Sequence, residues 1–431
     1  MTMNIEQTER FLSREELVTV CKQALQQRNY KDKRVLVIIP DTTRSGPLNL
    51  FFQAISEQLL GTVSKLDFMI ALGTHPILDE TKIYQHLGIT REKRETKYGK
   101  IGIFQHHWDC PEQLKYIGTI SREQVRELSQ GLMDEDIPVQ INKRIFEYNE
   151  LLIVGPVFPH EVVGFSGGYK YLFPGIAGPE IIHKFHWLGA LITNPKINGV
   201  KDTPPRQIIN KAVSLIGLAI TLFSFVEKEG KVFGFFAGGE KLWSEAADLS
   251  ARINVKYLNR AFPTVLSIAP QMYEDLWTAG KCMYKLEPVV ADGGRLIIYA
   301  PHITEVSYTH GEDIEKVGYH TRDYFLKQMD RFKDVPGAIL AHSTYVKGIG
   351  TFIDGRETPR IEVVLATGIS EQRCRKINLG YLDPEQVRIQ DYADRENEGV
   401  LVVENAGEVL HRPASGKVPD IEQLYSKPVT I

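Results

Sequence analysis

The sequence predicts an α/β protein: two α/β domains with mainly parallel sheets and an interdomain active-site cleft. Three observations carry that expectation. Apolar runs of strand length alternate with polar loops and helical patterns, as in βαβ units whose sheet is covered on both faces. The 431 residues are too many for one ordinary domain of roughly 150 residues. Four of the apolar runs deliver polar clusters just past their carboxyl ends, where open α/β sheets hold ligands.

The first element in order is a helix opening at Ser13, where Ser13 and Glu16 form a capping-box pair ahead of Leu17, Val20 and Cys21. The run 34–39, RVLVII, reads as a buried strand that ends in Pro40-Asp41-Thr42-Thr43-Arg44, with a helix from Leu48 onward. Residues 66–72 form a second strand, ending in Gly73-Thr74-His75. Residues 101–104 form a third, ending in Gln105-His106-His107-Trp108-Asp109, and 151–154 a fourth that runs through Gly155-Pro156 to His160. Gly178-Pro179-Glu180 opens another helix, with proline in its first turn. The runs 221–226 and 231–236 flank Glu229-Gly230 as a β-hairpin. A second domain begins near Pro263 with a strand at 265–269, a helix from about 272 to 290 and a strand at 295–299. The expected domains are 1–262, rejoined by the tail 408–431, and 263–407.

A formal net charge of −3 and a pI of about 6.5 give no electrostatic case for nucleic acid or an anionic membrane. Cys21, Cys110, Cys282 and Cys374 lack CxxC spacing. That argues against a disulfide framework or a zinc–thiolate site and fits a reducing compartment. The N-terminal stretch MTMNIEQTERFL has no apolar signal-peptide core. No run approaches the roughly 18 apolar residues of a membrane span. The expectation is a soluble, cytoplasmic protein with neither nucleic acid nor membrane as partner.

The richest stretch is 159–175, PHEVVGFSGGYKYLFPG. Glycines at 164, 167 and 168 let the backbone pass close to a bulky ligand or adopt positive φ. Ser166-Gly167-Gly168 followed by Lys170 has the outline of a phosphate cradle, yet its spacing is neither GxxxxGK[ST] nor GxGxxG. A plain glycine-rich surface loop is the alternative. Lys170 stands among Tyr169, Tyr171, Leu172 and Phe173. A desolvated lysine is a nucleophile suited to covalent attachment of a carbonyl-type cofactor, unless its head snorkels into water. His183 and His186, three apart on a helix, share a face for a metal. No HExxH or other full ligand set accompanies them, so structural histidines are the alternative. His106, His107 and His160 have unperturbed pKa values near neutrality. Two histidines on opposite sides of a cleft exchange protons with either face of a substrate. The 41–47 loop offers hydroxyls, N–H groups and the Arg44 guanidinium to an anion, with Asp41 for ribose hydroxyls. Capping the following helix is its plain role. Lys281, within WTAGKCMY, is either a ligand for a substrate carboxylate or a solvated helix lysine.

DTTRSGP, GTH, QHHW, HEVVGFSGGYKYLFPG and the downstream His186 together resemble the motif series of the nickel-dependent lactate racemase family. Thr278, Lys281 and Asp292-Gly293-Gly294 fit the same series, so the similarity covers most of the chain. The resemblance implies an isomerase, a racemase or C2-epimerase of a small 2-hydroxy acid. It implies hydride transfer to and from a nickel-pincer nucleotide, Ni(II) pyridinium-3,5-bisthiocarboxylic acid mononucleotide. Lys170 matches the family's tethering lysine, and His186 the histidine that completes the nickel coordination. Asp41, Thr42, Thr43 and Arg44 match the nucleotide-binding loop, while Arg44, Thr278 and Lys281 fall at substrate-binding positions. His106 and His160 match the two catalytic acid/bases; the proline at 111 favours His106 over His107. Cofactor-synthesis enzymes are implied as partners, and the oligomeric state is left open. Three positions depart from the pattern: Thr278 stands for a substrate-binding glutamine, Tyr169 for an arginine and His107 for an aspartate. The alternatives are a net redox enzyme using the same cofactor and a nickel-nucleotide carrier, which needs Lys170 and His186 but not two bases.

Overall fold

The computed structural model describes residues 3–6 and 10–426. Residues 1–2 and 7–9 of the N-terminal stretch, and 427–431 of the tail, lie outside them. The chain forms two compact units. Unit 1 comprises Met1–Phe158, Phe165–Ile182 and Arg206–Ile253; unit 2 comprises Pro159–Gly164, His183–Pro205 and Asn254–Ile431. The expected division at 262/263, with the tail returning to the first domain, differs from this one. The reason is a parallel ribbon in which Val255–Leu258 pairs with Leu410–Pro413, which groups both segments with unit 2.

The sheet of unit 1 has seven strands in the order Met3–Glu6, Lys231–Gly238, Ala219–Lys228, Glu150–Pro156, Arg34–Pro40, Lys65–Ala71, Gly102–Gln105. The last five run parallel, and the first two pair antiparallel. Val35 to Ile39 are all buried, which is why that strand reads as an unbroken apolar run rather than an alternating one. Helix Arg14–Gln26 starts on the expected capping box, with both hydrogen bonds made, worth about 1 kcal/mol. Its buried stripe is Leu17, Val20, Cys21, Ala24 and Leu25. The hairpin turns at Glu229-Gly230, both at positive φ, as a tight two-residue turn demands.

Unit 2 holds a five-stranded parallel sheet ordered Gly380–Tyr381, Glu362–Thr367, Val290–Ala300, Phe262–Ile268, Val400–Val403. The helix expected over 272–290 is instead two single turns, Leu276–Ala279 and Lys281–Tyr284, followed by a 3₁₀ turn at Glu287–Val289. Asp275 sets the start, since its carboxylate accepts the Thr278 N–H at 2.9 Å. Gly280 weakens the middle, and Pro288 lacks the N–H that would continue the ladder. A side chain at 280 would bring its Cβ within 2.8 Å of Val346, so close packing there requires glycine.

Candidate active site

In unit 1 the parallel strands bring their carboxyl ends to one edge, and the polar clusters meet there. Asp41, only 6% exposed, follows the 34–40 strand. Its Oδ1 accepts from the Thr43 N–H (3.1 Å) and the Thr43 hydroxyl (2.7 Å), while Oδ2 pairs with His75 Nδ1 at the neighbouring strand end. Burial alone would raise the Asp41 pKa. The His75 ring, Thr43 and the Arg44 guanidinium overcome it and hold the carboxyl well below the usual range. Asp41 is therefore a fixed anion. The 41–47 loop does not cap the next helix, because Leu48–Leu59 has Pro47 at its N-cap and no side-chain cap bond. Ser45 bonds Glu227 instead. Thr42 is exposed, and Thr43 and Arg44 are half-buried.

His106, at the end of the 102–105 strand, is 1% exposed. Its Nε2 donates to the Ala177 carbonyl at 2.9 Å, and its Nδ1 accepts from the Asn142 amide at 3.2 Å. These partners fix the neutral Nε2–H tautomer. Burial pushes the pKa down to about 4, against the pull of the Ala177 carbonyl. His107, the next residue, is half-buried. Asn142 ends the strand Ile137–Asn142, which touches the 166–178 segment through an Ile141–Ala177 bridge and an Asn142 N–H bond to Ile176. That contact delivers both of the His106 partners.

The glycine-rich segment is not a slack surface loop. Trp243 Nε1 donates to the Ser166 carbonyl at 2.9 Å, and the Arg206 guanidinium lies 4.0 Å from the centre of the Trp243 ring while donating to Phe165 O. Gly167 and Gly168 take positive φ; a Cβ on Gly168 would come within 2.8 Å of the Trp243 ring. The turn Gly168–Tyr171 that follows carries Lys170, which is half-buried. The Lys170 carbonyl accepts from Gly175 N–H (3.2 Å), and the Gly175 carbonyl accepts from Gly73 N–H (3.0 Å) at the second strand end. Beside it Tyr171 is buried, and among the described residues its hydroxyl has no hydrogen-bond partner. Burial pushes that phenol's pKa up, while Arg44 pulls it down and Asp41 adds to the rise.

Unit 2 carries the other predicted residues. His160 is 5% exposed; its Nδ1 lies 3.1 Å from the Val162 N–H and 3.3 Å from Glu161 Oε2. The buried Lys285 ammonium donates to the Pro159 carbonyl just before it. Gly164 takes φ +83°, and a Cβ there would lie 1.7 Å from the Val200 carbonyl oxygen, so only glycine fits. His186, half-buried on helix Pro179–Ile192, has its ring centroid 4.4 Å from that of Phe185. The Tyr345 hydroxyl donates to the His186 carbonyl at 3.3 Å. His183, one turn earlier, has its pKa pushed down to about 4 by burial. Lys281 is no solvated helix lysine: it is 7% exposed, with its ammonium 4.7 Å from the Tyr273 ring centroid. Thr278, three residues earlier, is also buried, its N–H on Asp275.

Unit 1 thus gathers Asp41, Thr43, Arg44, His106 and Lys170 on one sheet edge, with Thr42 at its exposed rim. Unit 2 carries His160, His186, Thr278 and Lys281. Sequence reasoning did not single out His75, Asn142, Tyr171 or Glu161. The strand-end rule was enough to find His75, since GTH follows the second strand; nothing local announces Asn142. Among the described residues, no three His, Cys, Asp or Glu side chains are gathered as a metal site. Nor is any helix long and apolar enough to cross a membrane.

A parallel sheet whose carboxyl edge holds a fixed carboxylate, a neutral buried imidazole and a lysine on a glycine-built turn belongs to the ligand-binding open α/β class. The family model for the lactate racemase N-terminal domain matches residues 6–198. Lactate racemases from Thermoanaerobacterium thermosaccharolyticum and Lactiplantibacillus plantarum are each 24% identical to this chain, over 272 and 277 residues. Each match takes in 62% of this chain but only 60% and 59% of those relatives, less than two thirds of their length. A crystal structure of a protein from Thermotoga maritima is 32% identical, with a TM-score of 0.87, covering 95% of this chain and 100% of that one. The lactate racemase apoprotein of T. thermosaccharolyticum shares the fold, at 20% identity and a TM-score of 0.67 over 94% of both chains. Residues 6–198 thus match the lactate racemase N-terminal domain, and the chain is similar to lactate racemases.

Proposed function

We propose that the protein is a racemase or C2-epimerase of a 2-hydroxy acid that works with a nickel-pincer nucleotide. The observation that carries the reading is the sheet edge of unit 1. There Asp41 is locked as an anion, a buried Tyr171 phenol beside it has an unused donor, and Lys170 sits on a turn that only glycines build. An orphaned buried hydroxyl next to a half-buried lysine on a rigid turn fits a nucleotide that is held covalently. Lys170 tethers it, Asp41, Thr42, Thr43 and Arg44 hold it, and His186 supplies the protein's ligand to nickel. When bound, the group supplies a reversible hydride acceptor.

The chain's own residues do the rest. A C–H beside a carboxylate is a very weak acid, so the imidazoles act on the hydroxyl proton instead. His160 and His106 take and return that proton, help worth roughly 10²–10⁴-fold. Lys281 and Arg44 hold the carboxylate and leave the reacting carbon free to turn. Thr278 removes the amide of the glutamine it replaces, so acids larger than lactate belong among the substrates tested. The same reading makes the protein a cytoplasmic client of cofactor-synthesis enzymes.

One observation favours a variant of this reading. Both His106 nitrogens are already bonded, so a substrate proton reaches that ring only when Ala177 or Asn142 lets go. The half-buried His107 is under no such constraint from these two groups and is the second choice for the base.

The test is co-expression with the cofactor-synthesis enzymes, intact mass and nickel analysis, then polarimetry over a panel of enantiopure 2-hydroxy acids. The expected outcome is an adduct that disappears in Lys170→Ala and a loss of optical purity for at least one acid. An adduct with no acid racemised overturns the proposal.

A further inference from the structure

His160 Nδ1 has two neighbours with opposite demands. The Val162 N–H, at 3.1 Å, is a donor and needs Nδ1 to carry a lone pair, which puts the proton of the neutral ring on Nε2. Glu161 Oε2, at 3.3 Å in an ion-pair contact, only accepts and favours the proton on Nδ1, which puts the lone pair of the neutral ring on Nε2. A substrate hydroxyl proton enters a neutral imidazole at Nε2 only in the second form. The side chains of Glu161 and His160 are 14% and 6% exposed, so this is a shielded pair, unlike a solvated surface ion pair. The segment has little freedom to escape the conflict. Lys285 grips the Pro159 carbonyl, and the glycine at 164 fits against Val200 with no room for a side chain. Glu161 also acts on the Tyr345 phenol, whose pKa is raised by burial and then by this carboxylate; that phenol in turn holds the His186 carbonyl.

We infer that Glu161 is a positioning residue that selects the working tautomer of His160. With Nδ1–H on Glu161, the ring accepts a proton at Nε2, and the carboxylate then faces the Nδ1–H of the imidazolium and stabilises it. With Nδ1 on Val162, the ring presents Nε2–H and takes up nothing. The inference rests on the proposed acid/base role of His160, but its geometry belongs to the chain without cofactor and is testable there. Carboxylates behind metal-bound imidazoles fix the tautomer in this way, and their loss typically costs about 10–100-fold.

The experiment is ¹⁵N NMR of histidine-labelled full-length protein without cofactor, together with kcat and KM of the loaded enzyme. In the parent chain His160 shows a measurable Nδ1–H population. Glu161→Leu is expected to leave only Nε2–H and to lower kcat about 10–100-fold with KM unchanged, and Glu161→Asp to restore part of both. Should Glu161→Leu prove insoluble, Glu161→Gln serves, because it keeps the shape and loses the charge; a smaller Nδ1–H population is expected. An unchanged His160 spectrum in the variant overturns the inference. If the spectrum changes but the loaded parent racemises nothing, the proposed function fails while the tautomer assignment stands.

Discussion

His106 in unit 1 and His160 in unit 2 are buried to the same degree, yet their surroundings differ in kind. His106 is held between a carbonyl and a side-chain amide, which together fix one neutral tautomer. His160 is held between a backbone N–H and a carboxylate, which favour two different protonation patterns. Burial alone therefore does not decide what an imidazole does; the donors and acceptors around it do. A stereocentre that is emptied from one side and refilled from the other does not need two equivalent bases.

The strongest way to break this comparison is to remove the rings one at a time in loaded enzyme. His160→Gln is expected to lower turnover about 10²–10⁴-fold while leaving the Lys170 adduct intact by mass. His107→Gln, made beside His106→Gln, decides which residue of the pair turns over substrate. The assignment of His160 is contradicted if the His160→Gln enzyme keeps its polarimetric rate.

The next effect is on stability. His106→Leu strands the Ala177 carbonyl and the Asn142 amide without their partner, at about 1–3 kcal/mol for each buried group. Urea unfolding at pH 7 is expected to show a loss of that order. A loss below about 1 kcal/mol would mean that the two groups find other partners.

The pH dependence follows with the same sign. The His106 pKa is depressed to about 4 in the folded chain from an ordinary 6.5, and burial likewise pushes His342 down to about 3. Between those values and 6.5 the unfolded chain binds protons that the folded chain refuses. The stability held by keeping these rings neutral is therefore complete above about 6.5 and is lost as pH falls, by roughly 3 kcal/mol per ring at pH 4.5. Urea midpoints at pH 7 and pH 4.5 check this, and His106→Leu should shrink the difference by the His106 share while the His342 share remains. A parent chain equally stable at both pH values contradicts the neutral assignment. The smallest expected effect is that of Thr43→Val, which removes the hydroxyl bond to Asp41 and costs about 1 kcal/mol, a control on the same edge that leaves both imidazoles untouched.

Much of unit 1 was legible because its physics is local. The 34–40 strand announces itself by being covered on both faces, the first helix by its capping box, and the ligand edge by polar residues after each strand. What could not be read depends on distant partners. The 272–290 stretch has helical periodicity, but Asp275, Gly280 and Pro288 break it into turns. Ribbons as short as Val255–Leu258 and Leu410–Pro413 carry too little pattern to show that they pair, which moves the boundary between the units. His75 stands visibly after the second strand, but its bond to Asp41 is a contact between neighbouring strand ends. Asn142 reaches His106 only through the contact of its strand with the 166–178 segment. Glu161 sits next to His160 in sequence, yet adjacency alone does not say that its carboxylate turns back onto the ring.

The most direct measurement of the central claim is racemisation in D₂O by the loaded enzyme, starting from an enantiopure, protiated 2-hydroxy acid and following C2 by mass spectrometry and NMR. If the imidazoles handle only the hydroxyl proton, the racemised product retains protium at C2. Deuterium entering C2 in step with the loss of optical purity would contradict the account and make the histidines carbon bases instead.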